Sequence, residues 1–81
     1  MKAISLGHNQ IITIDDEGNQ TFQSYNSAIA TKTKEGNVYF DKQYYKFSRT
    51  IIKYRNKFIK EDSKTIEKKI KDGTYKLRDL N

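Results

Sequence analysis

The side chains able to do covalent or metal chemistry are few and scattered. The 81-residue chain has no cysteine and a single histidine, His8, so it has no thiolate nucleophile, no disulfide and no Cys-based metal site. His8 sits in Gly7-His8-Asn9, where nothing nearby resembles a catalytic triad or a metal shell, and reads as a surface turn residue. Asp15-Asp16-Glu17 gathers three carboxylates but lacks the ligand spacing of an EF-hand loop. The glycines are isolated, so no phosphate-cradling loop is present. Catalysis is not expected, and neither is a metal or another cofactor.

Binding chemistry is concentrated instead. Residues 38–60 hold seven of the ten aromatic residues and seven Lys or Arg side chains. Cations supply contacts to phosphate, and tyrosines supply faces on which unpaired bases stack. Tyr and Arg are also the residue types enriched at protein–protein hot spots. The plain alternative is that the aromatic side chains form the core and the cations solvate a helix face. Both readings hold together where a side chain buries its apolar body and keeps its polar tip in water. The candidate contact residues are Tyr44, Tyr45, Arg49, Lys53, Arg55 and Lys57.

These residues need elements to position them. Ile51, Tyr54, Arg55, Phe58 and Ile59 follow the spacing of an amphipathic helix, which predicts a main helix over about 49–60. Ser48 or Thr50 would be its N-cap. The run Phe40, Tyr44, Phe47, Ile51, Tyr54, Phe58 also fits one longer helix capped by Asp41. The alternation through Tyr45 and Phe47 favours a strand or turn before residue 48. Ser63 is a fair N-cap for a short helix over about 64–71, with Gly73 ending it. Upstream, Ala3–Leu6 reads as a short strand. Residues 10–15 and 20–25 form a hairpin about the turn Asp15–Asn19. Residues 28–31 and 38–40 add further strands, and the small side chains of 28–31 would let a helix approach closely. Residues 74–77 are expected as an edge strand or docked tail, with Leu80 as an anchor. The fold class is therefore α+β: one domain over 1–81, a small antiparallel sheet built of β-hairpins in the N-terminal half, packed by the two helices.

Charge is divided along the chain. Residues 1–41 carry three lysines against five carboxylates (net −2), and residues 42–81 carry thirteen Lys or Arg against five (net +8). Such asymmetry points to an anionic partner, nucleic acid foremost, although solubility alone also explains a basic composition. It argues against mimicry of a phosphate backbone, which needs net negative charge. No apolar run suits a signal peptide or a membrane span, so a soluble protein of the host-cell cytoplasm is expected, with no membrane partner. The aromatic excess leaves room for a homo-oligomer.

Ser24-Tyr25-Asn26-Ser27-Ala28-Ile29-Ala30 and Phe47-Ser48-Arg49-Thr50-Ile51-Ile52-Lys53-Tyr54-Arg55-Asn56-Lys57-Phe58-Ile59 resemble a family of short bacteriophage and prophage proteins. Its signature reads S-Y-N-[ST]-x-[IV]-A, then Y-S-R-T-T-x-K-[HY]-x-N-x-F-[IL]. Gly73, Tyr75, Leu77, Leu80 and Asn81 are similar to its ending, and the likeness covers most of residues 20–81. Ile51 and Ile52 replace a second Thr and a small polar residue. The resemblance transfers no catalytic residue. It implies a phage context, in which small non-enzymatic proteins bind and redirect host machinery. The expectation is an interaction protein that inhibits or modulates a host nucleic-acid enzyme, a Cas-type defence nuclease being one candidate. Direct DNA or RNA binding as an accessory protein is the runner-up, and a virion part the third reading.

Overall fold

A computed structural model describes all 81 residues. Six strands and two helices follow one another as β1 (Lys2–Gly7), β2 (Gln10–Ile14), β3 (Gln20–Ser24), β4 (Ser27–Lys32), β5 (Val38–Asp41), α1 (Arg49–Ile59), α2 (Ser63–Lys71) and β6 (Lys76–Arg78). One sheet holds all six strands in sequence order. The first five form an antiparallel meander, and β6 joins β5 in parallel. A parallel neighbour needs a long crossover, and α1 and α2 provide it. The fold is α+β, as the order of strand and helix patterns predicts.

Local chemistry accounts for the connections. In the β2–β3 turn, Asp15 Oδ1 accepts from the amides of Glu17 and Asn19, each at 2.9 Å, and Gly18 takes φ +92°. Ser48 caps α1 by accepting the Ile51 amide at 3.2 Å. The cap of α2 is Asp62, whose carboxylate accepts from Thr65 N at 2.8 Å, rather than Ser63. The Ser63 hydroxyl is already taken by Arg55 and Asn56. Residues 42–48 form turns, neither strand nor helix, because Asp41 Oδ2 captures the amides of Gln43 and Tyr44.

The core lies between the sheet and α1. Cross-strand pairing places Ile4, Ile12, Phe22, Ala30, Phe40 and Leu77 in one row. The middle four are buried. A bulge opposite Phe22 and Gln23 adds Ile29 to β4, so consecutive Ile29 and Ala30 are both fully buried despite the two-residue period of a strand. Helix α1 packs on β3 and β4, and Phe58 meets Phe22 with ring centroids 6.1 Å apart. Ile66 brings α2 into the same core.

The C-terminal segment closes the far edge. Lys42 N donates to Arg78 O at 2.8 Å, and Leu80 N donates to Asp41 Oδ1 at 2.9 Å. The Asn81 amide then bonds both the N–H and the C=O of Ala28, at 2.8 and 3.0 Å. It stands in for the strand partner that β4 lacks once β5 has ended.

Candidate functional site

Helix α1 sorts the candidate residues by face. Ile51, Arg55, Phe58 and Ile59 point inward, and Arg49, Lys53 and Lys57 point outward. The outward three are spaced i, i+4, i+8 and so form one cationic row. No carboxylate lies anywhere in residues 42–60. The two ion pairs of the chain, Met1 amino group to Asp16 and Lys69 to Glu61, lie elsewhere, leaving the row without a counter-charge. The Nζ atoms of Lys53 and Lys57 stand 5.5 and 5.2 Å from the centre of the Tyr54 ring between them.

Two of the six candidates are not surface residues. Arg55 is 1% exposed. Its Nη1 donates to Tyr45 O at 2.9 Å, Nη2 to Asn56 Oδ1 at 2.9 Å and to Ser63 Oγ at 3.3 Å, and Nε to Asn56 Oδ1 at 3.1 Å. Burial lowers the pKa of the guanidinium, with Glu67 and Tyr45 opposing, and an arginine stays charged through such a shift. Arg55 falls on the apolar stripe of the helix, and that position outweighs its charge. It ties α1, α2 and the 42–48 turns together and has no free donor face for a partner. Tyr45 is 6% exposed, its ring packed 6.0 Å from Phe40. Tyr44 is half-buried at the edge of the surface, set edge-on to Phe47 at 5.5 Å.

The exposed aromatic side chains are others. Phe47 is 68% exposed and Tyr25 61%, and they flank a groove of about 270 Å³ lined also by Ser24, Ser48, Thr50 and Ile51. Tyr25 lies in the two-residue turn between β3 and β4 with φ 55°, a conformation that disfavours a bulky side chain. Its amide donates to Asn9 O at 2.7 Å. The sequence pattern places Tyr25 at the end of a strand and Phe47 in a strand or turn ahead of the main helix, with a longer helix as the alternative. The signal available was the short Tyr25-Asn26 link between two strand patterns, which makes Tyr25 a turn residue. Arg49, the first residue of the cationic row, is next in sequence to the groove-lining Ser48 and Thr50 but does not itself line the groove.

A second hollow, along α2, is lined by Lys64, Thr65, Lys68, Lys69 and Asp72, all side chains of one helix surface. No helix of the chain is long and apolar enough to cross a membrane. Neither a curated protein nor a solved structure matches the chain. The sequence model of a family of unknown function (DUF8033) matches residues 2–73, nearly the whole sheet and both helices, and the chain belongs to that family.

Proposed function

We propose that this chain is a non-enzymatic binding protein of nucleic-acid machinery, and that its α1 face meets nucleic acid directly. The observation that carries the reading is the row Arg49–Lys53–Lys57, exposed, free of ion pairs and set on a helix without carboxylates. Unpaired surface cations in a row are what a phosphate backbone neutralises, with release of its counterions. The test is a fluorescence anisotropy titration of labelled DNA and RNA with the wild-type protein and the Arg49→Gln, Lys53→Gln, Lys57→Gln triple variant. All three side chains are exposed, so the variant is expected to keep the fold. It is expected to lose affinity by about tenfold or more. Equal affinity of the two proteins would sink the reading.

A second reading keeps the phage context and makes the partner a host enzyme that acts on nucleic acid, a defence nuclease included, which the chain inhibits or modulates. Tyr25 and Phe47 favour it, since aromatic side chains beside an arginine are the composition of protein hot spots. A pull-down of tagged protein from host lysate, with and without nuclease digestion, separates the two. A protein partner that survives digestion supports the second reading, and a partner set that vanishes supports the first.

A further inference from the structure

We infer that the groove between Tyr25 and Phe47 receives one unpaired nucleobase, with the phosphate beside that base held at the start of α1. The inference rests on the direct nucleic-acid reading and adds which form of nucleic acid is bound and where. Four observations meet at the groove.

Ser24 lines it, is 3% exposed, and its hydroxyl has no hydrogen-bond partner within the protein. The one buried side-chain atom without a partner is Gln10 Oε1, so the Ser24 hydroxyl is reached by solvent and is free to exchange water for a ligand group that donates or accepts there. Phe47 and Tyr25 stand on the rim as the most exposed aromatic side chains of the chain, and base–aromatic stacking is how proteins hold single strands. Ile51, buried below, gives the groove an apolar floor.

The phosphate end is equally defined. The first amides of a helix lack intrahelical partners. Here Ser48 caps only the Ile51 amide and accepts Ile52 N with its carbonyl, so the amides of Arg49 and Thr50 remain open. No acidic side chain occupies the first turn of α1, and Arg49 adds a full charge to the positive end of the helix.

The occupant is a base rather than a peptide side chain for two reasons. Ser24, Ser48 and Thr50 border the groove, with the Ser48 hydroxyl already accepting the Ile51 amide, and this polar lining suits the edge of a heterocycle better than an aliphatic anchor. No Lys or Arg lines the groove itself, but the row that starts at Arg49, next in sequence to Ser48 and Thr50, is free of ion pairs and continues along α1, where the following phosphates of the same strand would lie. A duplex keeps its bases stacked inside, so only a single strand offers one to the groove.

The experiment titrates a short labelled single strand, as DNA and as RNA, and the same sequence annealed as a duplex. Wild type, Phe47→Ala, Tyr25→Asn and the triple row variant are compared. Tyr25→Asn is chosen because asparagine tolerates the left-handed turn, and Phe47→Trp serves as the conservative replacement. Stacking of one base corresponds to about 1–3 kcal/mol, hence a fivefold to hundredfold weaker single-strand complex for Phe47→Ala. Duplex binding should stay unchanged, and Phe47→Trp should bind the single strand as wild type does. The row variant should weaken both forms. Binding of single strand and duplex alike, unaffected by Phe47→Ala and Tyr25→Asn, overturns the groove assignment and leaves the row reading standing. No binding of any nucleic acid overturns both. Loss of a protein partner in Phe47→Ala, without loss of single-strand affinity, shows that the groove takes a peptide side chain and overturns the assignment as well.

Discussion

Asp41 ends β5 with both carboxylate oxygens engaged by the backbone. Oδ2 accepts from the amides of Gln43 at 3.1 Å and Tyr44 at 2.8 Å, and Oδ1 from Leu80 at 2.9 Å. Burial alone would raise its pKa, but the amides of Leu80, Tyr44 and Gln43 and the Asn81 side chain outweigh that and hold the carboxyl below its ordinary value. A carboxylate whose pKa is depressed on folding stabilises the fold fully above its unfolded value, about 3.9. That contribution disappears as pH falls through the folded value. In Asp41→Asn an NH₂ replaces one acceptor oxygen and meets either Leu80 N or the pair of turn amides. The variant should be less stable than wild type near neutral pH by roughly 1–3 kcal/mol. The gap should shrink as the solution is acidified below the ordinary carboxylate value. Urea unfolding of both proteins across that range checks this, and a gap that stays constant with pH would mean that the charge of Asp41 does not stabilise the fold. The other carboxylates with lowered pKa values, among them Asp15 and Asp72, are common to both proteins and cancel in the difference. Arg55 is the opposite case. Its hydrogen-bond acceptors, Tyr45 O, Asn56 Oδ1 and Ser63 Oγ, are all neutral, and Glu67 is the one carboxylate that supports its charge.

Between elements, α1 meets the end of β1 at a glycine. A Cβ at Gly7 would lie 2.5 Å from Tyr54 Oη and 2.9 Å from its Cζ, so the bare backbone of Gly7 admits the ring. Gly7→Ala should cost about 1–3 kcal/mol by forcing the ring aside, and Tyr54→Phe in the same chain should recover part of that loss by removing the nearest atom. Thermal unfolding of the two single variants and the double variant gives the coupling, and strict additivity would show that the two residues do not meet. This contact illustrates which elements were legible in the sequence. The β2–β3 hairpin and both helices were, because turn chemistry at Asp15 and Gly18 and the stripe Ile51–Phe58–Ile59 act over short range. The parallel docking of β6, the bulge at Ile29 and the meeting of Gly7 with Tyr54 join residues far apart in sequence and leave no local period. The run Phe40–Tyr44–Phe47–Ile51 fits helix spacing, the alternation through Tyr45 and Phe47 opposes it, and the capture of the 43 and 44 amides by Asp41 goes with the turns that form instead. The candidate site divides the same way. Arg49, Lys53 and Lys57 were readable from i, i+4 spacing. Arg55 shares their charge but sits on the apolar stripe. Tyr25 and Phe47 owe their exposure to turns whose packing is set elsewhere in the chain.

At the scale of the whole molecule, the sheet half carries net −2 and the segment from residue 42 onward net +8. If the partner is anionic, as proposed, that asymmetry would steer its encounter toward the segment from residue 42 onward. Salt then separates the two parts of the proposed interface. Each phosphate neutralised on a single strand contributes about −0.7 to the slope of log K against log salt. Three contacts along Arg49–Lys53–Lys57 therefore account for about 2 of the wild-type slope. Replacing all three by Gln should flatten the slope by about that amount as well as lower the affinity. Phe47→Ala and Tyr25→Asn remove no charge, so they should lower affinity at every salt concentration and leave the slope unchanged. Anisotropy titrations across a salt series measure both quantities at once. A triple variant with the wild-type slope would place the phosphate contacts elsewhere, with Lys64, Lys68 and Lys71 on α2 the next cations to replace. A slope change in Phe47→Ala would mean that the aromatic groove positions the cationic row rather than binding a base beside it.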